Sequence, residues 1–128
     1  MTIHVGNSLL LPKSEGQTAH LWVVVTPPFD NLKEVVIVNI TSLKSHSDHT
    51  VILDVGDHPF IKHPSSIYYA DATITQIAAL QRAIDSGEFS THQDFPLKTL
   101  SRIQAGIFIS DFTPNKVKKY CEQVLKKI

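Results

Sequence analysis

The chain has 128 residues, of which 42% are hydrophobic and 19% charged, and its net charge is +0 with the histidines neutral. This balance excludes a disordered chain, and a domain of this size needs neither a disulfide nor a structural metal to hold its core. No apolar run approaches the roughly twenty residues of a membrane helix, and the single cysteine, Cys121, has no partner for an internal disulfide. The opening Met1-Thr2-Ile3-His4-Val5 lacks the charged and apolar regions of a signal peptide, so a cytoplasmic location is expected.

Residues 8–11 form a short apolar stretch ended by Pro12, as in an edge strand. The polar residues 13–19, with Gly16, predict a loop. Residues 20–26 are a β-rich run stopped by Pro27-Pro28, and the unbroken Leu21-Trp22-Val23-Val24-Val25 predicts a strand covered on both faces. Turn chemistry at Asp30-Asn31 then leads into a second continuous β-branched run over 34–40, so the two runs should pair antiparallel. Shorter strands are expected at 50–55 and 67–70. The character then changes: Thr73-Ile74-Thr75-Gln76 fits a capping box opening a helix that runs to Gly87. Residues 90–95 are expected to form a polar loop, before a second helix carrying Leu97, Leu100, Ile103 and Ile107. Gly106 in its interior suggests close backbone approach to the sheet. Thr113-Pro114 starts a third helix, whose stripe is Val117, Tyr120, Cys121, Val124, Leu125 and Ile128. The expected fold is therefore one α+β domain over 1–128: a small curved antiparallel SH3-like barrel over 1–70, followed over 71–128 by two or three packed helices.

Charge is unevenly placed. Residues 1–90 carry five Lys/Arg against nine acids, whereas 91–128 carry seven against three. The basic helical end suits an RNA or an acidic protein, or it is simply a solvated helix face. Histidines are also concentrated: His46, His49, His58 and His63 lie within eighteen residues. Two imidazoles on opposite sides of a phosphate can supply the base and the acid of RNA cleavage. His58 and His63 flank Pro59-Phe60-Ile61-Lys62 in a proline-stiffened loop, where Lys62 can steady phosphorane charge. In the plainer reading, a loop histidine bonds a backbone carbonyl or water. His46, Asp48, His49 and Asp57 are conceivable metal ligands, but their spacing matches no ligand motif, and no cofactor is expected. Thr41 and Ser42 end the strongest strand beside Lys44 and can meet a phosphate, or start a turn. Trp22, Tyr68 and Tyr69 are candidates to stack on bases, with Trp22 better suited to the core and Tyr68 and Tyr69 on opposite faces of a strand.

The segments Val5-Gly6-Asn7-Ser8-Leu9-Leu10-Leu11-Pro12, the loop at Gly16, the strand at 21–26 and Val38-Asn39-Ile40-Thr41-Ser42 resemble the MazF/PemK-like toxin family over about the first seventy residues. The resemblance implies a small SH3-like barrel that cuts RNA and is held by an antitoxin. It carries Thr41 or Ser42 over by position. Where the family has an arginine just before the second strand, this chain has Ala19-His20, so His20 becomes the acid/base candidate.

The expected function is a toxin-like, metal-independent endoribonuclease with His20, Thr41, Ser42, His58 and His63 as catalytic candidates and Lys44, Lys62 and Tyr68 as substrate-binding ones. Its expected partners are RNA, an antitoxin protein and, as a homodimer, a second copy of the chain; no membrane is expected. Two other classes stand beside it: a non-catalytic barrel binding a protein or nucleic acid through its basic end, and a small metal-dependent hydrolase.

Overall fold

The computed structural model describes residues 3–11, 20–28 and 33–125. The loop expected at Gly16, the turn expected at Asp30-Asn31 and the last expected stripe position, Ile128, lie outside these, as do Lys126 and Lys127. The described chain runs β1 (Ser8–Leu11), β2 (His20–Val24), β3 (Glu34–Ser42), β4 (Ile52–Leu53), β5 (Ser65–Gln76), α1 (Ile77–Asp85), β6 (Ser90–His92), α2 (Leu97–Ile109) and α3 (Asn115–Leu125). The strands form one antiparallel sheet in the order β4-β5-β3-β2-β1-β6, curled into a half-barrel and packed by the helices. The α+β architecture expected from the sequence is thus present, with β4 and β6 at the sheet's two edges. No helix among the described residues is long and apolar enough to cross a membrane.

The unbroken apolar runs of β2 and β3 arise because both faces of the sheet are covered. Leu21, Val23, Val36, Val38 and Ile40 join Leu100, Ile103 and Ile107 of α2 and Val117 and Cys121 of α3 in the larger core. Val24, Val35 and Ile37 face the other way, into a smaller cluster with Ile3, Leu9 and Leu80 of α1. Alternation along each strand sends successive side chains to opposite faces, so strands buried on both sides must be apolar throughout.

Apart from β4, which covers only Ile52–Leu53 of the strand expected at 50–55, two regions differ from the sequence reading. The strand expected at 67–70 runs on to Gln76, and helix α1 begins only at Ile77. Thr73 is not a helix cap: it pairs with Ile37 inside the sheet, and its hydroxyl donates to the Asp71 carbonyl at 2.7 Å. The cause is a register shift in β5 opposite Ile37 to Asn39. Core-facing positions are Ile67 and Tyr69 before it, and Ala72 and Ile74 after it. Such a bulge breaks the period of two, so the strand reads in sequence as though it stopped. The second difference is β6, a polar three-residue strand where a loop was expected. It is an edge strand whose pairing with β1 comes from backbone bonds rather than apolar side chains, and composition does not reveal it.

Helix α3 buries Val117, Cys121 and Val124, in line with the predicted stripe. Burial pushes the Cys121 thiol up to about 12, so it stays protonated and acts as packing. Val124→Asp would place an unpaired carboxylate where the native side chain is only 3% exposed. The expected loss is roughly 4 kcal/mol or more, read as a large drop in melting temperature. An unchanged melting temperature would mean that this face of α3 is not packed.

Candidate active site

Where β2 and β3 approach the loop before β5, a cavity of about 360 Å³ is lined by His20, Thr41, Ser42, Lys44, Lys62 and His63, with Leu21, Ile40, Phe60, Ile61 and Ser65 as its remaining walls. Pairing puts these residues there. Leu21 lies opposite Ile40 in the β2–β3 ladder, so His20 at the start of β2 faces the end of β3. Across β3, Thr41 pairs with Ser66 and Ser42 with Ser65, which brings the Lys62-His63-Pro64 turn alongside Lys44. The Leu43 amide donates to the Pro64 carbonyl at 3.1 Å, and the Ser65 hydroxyl donates to the His63 carbonyl at 3.0 Å, fixing that turn.

Within the cavity, Ser42 Oγ and His63 Nε2 are hydrogen-bonded at 2.9 Å. Ser42, Lys44, Lys62 and His63 are exposed, whereas His20 and Thr41 are half-buried. Two imidazoles, three hydroxyls and two ammonium groups from three separate segments therefore border one space. Such a set can exchange protons at both ends of a phosphodiester and hold the negative charge between them.

His58 lies elsewhere. It is buried, packs on Phe95 with ring centroids 4.3 Å apart, and lies 5.2 Å from the ring of His92. Its Nε2 donates to the Gln93 carbonyl at 2.6 Å while its Nδ1 accepts from the Phe60 amide at 3.0 Å. Those partners select one neutral tautomer and tie the His58 loop to the residues just after β6. Burial, reinforced by nearby His92, holds His58 below the ordinary histidine value despite the Gln93 bond and Asp94. Tyr68, expected to bind substrate, is exposed on β5 and borders a neighbouring cavity instead.

Asp48 is also structural. Its carboxylate accepts the Thr50 amide at 2.9 Å, the Thr50 hydroxyl at 2.6 Å and the Ser110 hydroxyl at 2.6 Å, and its carbonyl accepts the Ser66 hydroxyl. Burial alone would raise its carboxyl, but the Ser110 and Thr50 bonds, helped by His49, hold it below 3.8. His46 and His49 are exposed. Among the described residues no three His, Cys, Asp or Glu side chains come together in a way that could hold a metal ion.

These two shifts give stability a pH dependence of defined sign. Both groups have folded values below their ordinary ones, so both stabilise the fold at higher pH and lose that contribution as pH falls. The His58 contribution should decline as pH drops below 6.5, and that of Asp48 only below 3.8. Melting temperature measured from pH 8 to pH 3 should therefore fall in two stages, and His58→Gln should flatten the upper one. An unaltered upper stage in that variant would place its origin elsewhere.

No family model matches the chain, and no curated protein matches it in sequence.

Proposed function

We propose that the protein is a metal-independent endoribonuclease whose acid/base pair is His20 and His63. The observation that carries this reading is the convergence of both imidazoles with Thr41, Ser42, Lys44 and Lys62 on one cavity. A neutral imidazole takes the proton of an RNA 2′-hydroxyl as its oxygen bonds to the adjacent phosphorus. The opposite imidazolium gives a proton to the departing 5′-oxygen as its bond to phosphorus breaks. The products are a 2′,3′-cyclic phosphate and a free 5′-hydroxyl. Lys44 and Lys62 offset the charge that gathers on the phosphoryl oxygens, and the Ser42 bond orients His63. The resemblance to MazF/PemK-like toxins adds a setting: a growth-inhibiting toxin of the cytoplasm, neutralised by an antitoxin protein.

Pure protein incubated with RNA in EDTA should produce ends bearing 2′,3′-cyclic phosphate. The rate should fall on both the acid and the alkaline side of its optimum, because one imidazole must be neutral and the other charged. Absence of cleavage of any RNA would overturn the proposal in favour of a binding module. Activity abolished by EDTA would favour a metal-dependent hydrolase.

A second reading rests on the 2.9 Å Ser42–His63 bond, which is also the geometry of a hydroxyl nucleophile beside its base. In that case Ser42→Ala would abolish turnover, and a covalent adduct on Ser42 would be detectable by mass spectrometry. In the ribonuclease reading Ser42→Ala retains measurable cleavage.

A further inference from the structure

Next to the histidine cavity lies a second one, of about 300 Å³, bordered by Leu11, His20, Trp22, Asn39, Thr41, Tyr68 and Asp71. His20 and Thr41 line both spaces, so the two adjoin at these side chains. Trp22 of β2 pairs with Asn39 of β3, and Asn39 pairs with Tyr68 of β5, which sets an indole, an amide and a phenol side by side across the sheet. Asn39 is only 4% exposed, yet among the described residues its Oδ1 has no hydrogen-bond partner, and neither does the buried Nε1 of Trp22. A buried acceptor and a buried donor left unpaired on adjacent strands are costly, and folded proteins keep few of them without a water, an ion or a ligand to complete the set.

The two cavities differ in charge. The first holds Lys44 and Lys62; among the described residues bordering the second there is no Lys or Arg, and there is Asp71. A ligand spanning both would put its anionic part in the first and a neutral, flat, hydrogen-bonding part in the second. A volume of about 300 Å³ is at the small end of ligand cavities and suits a single ring system.

We propose that the Trp22–Asn39–Tyr68 cavity is a nucleobase subsite, holding the unstacked base of a single-stranded RNA nucleotide next to the phosphate cleaved at His20 and His63. This rests on the ribonuclease reading above. The base stacks against the aromatic rings, a base N–H meets Asn39 Oδ1, and a ring nitrogen or carbonyl meets Trp22 Nε1. Asp71 at the border favours an exocyclic amine and disfavours a second phosphate.

Trp22 is the sole tryptophan of the chain, so intrinsic fluorescence reports on this cavity without reference to cleavage. Single-stranded 2′-deoxyoligonucleotides, which bind but cannot be cut through a 2′-hydroxyl, should quench it, and abasic oligonucleotides of equal charge should not. Tyr68→Ala is a safe variant because Tyr68 is 43% exposed. It should weaken quenching about ten- to a hundredfold, the scale of one lost base stack, and should raise KM for RNA far more than it lowers kcat. Asn39→Asp should change which base is preferred. Equal quenching by intact and abasic strands, or unchanged affinity and KM in Tyr68→Ala, would overturn the subsite even if cleavage by His20 and His63 stands. Base-dependent quenching that persists while His20→Ala and His63→Ala cleave normally would sink the catalytic assignment and leave the subsite intact.

Discussion

Gly106→Ala should strongly destabilise the protein although alanine is the better helix former. An added Cβ at position 106 would lie 1.9 Å from the Tyr69 hydroxyl, 2.6 Å from its Cζ and 2.7 Å from Cγ2 of Val51. These neighbours cannot yield cheaply. Tyr69 is fully buried, and its hydroxyl donates to the Ile103 carbonyl of α2 at 2.8 Å. Burial also pushes its phenol well above the ordinary value, so it remains a donor. Displacing the ring forces strain into a close-packed core and strands a buried hydroxyl, costs of about 1–3 kcal/mol each, against about 1 kcal/mol gained in helix propensity. A net loss of roughly 3 kcal/mol is expected in denaturant unfolding. Tyr69→Phe removes the atom that clashes most, so Gly106→Ala should cost less in that background than in wild type. Additive effects in this double-mutant cycle would show that the two residues do not meet.

His20→Ala and His63→Ala should each slow RNA cleavage by roughly a hundredfold or more, the scale of losing a positioned proton-transfer group. Neither residue is fully buried, and both should leave the melting temperature close to wild type. His58→Ala should do the reverse. It deletes a buried ring that bonds the Gln93 carbonyl and the Phe60 amide, and the loss should appear as a lower melting temperature. Comparing rate and stability across the three variants separates proton transfer from packing. Cleavage at the wild-type rate by both His20→Ala and His63→Ala would remove this pair from the mechanism.

Much of the fold was legible because its signals are local. The runs of β2 and β3 are continuous, the α3 stripe repeats at helical spacing, and Gly87, at φ +83°, ends α1 as expected for a glycine beyond a helix. Gly106 was legible as a place of close approach, though not its neighbour Tyr69. The bulge in β5 was hidden because it cancels its own periodicity. At the candidate site, sequence nearness favoured pairing His58 with His63, whereas strand register brings His20 to the His63 cavity from more than forty residues away. One usable signal went unread: Asn39 is the sole polar residue within the apolar run from Val35 to Ile40. A polar side chain embedded in such a run must find a partner or serve one.

The pairing of β6 with β1 bears on how the chain folds as it leaves the ribosome. Ser8 must wait for His92, and Leu10 for Ser90, before the outer side of β1 is closed. Throughout that interval of synthesis the nascent sheet presents an open row of amides and carbonyls, a template for strands of other chains. Products truncated before residue 90 would keep that row open permanently. They should aggregate during expression, whereas shortening at the end of α3 leaves the edge sealed.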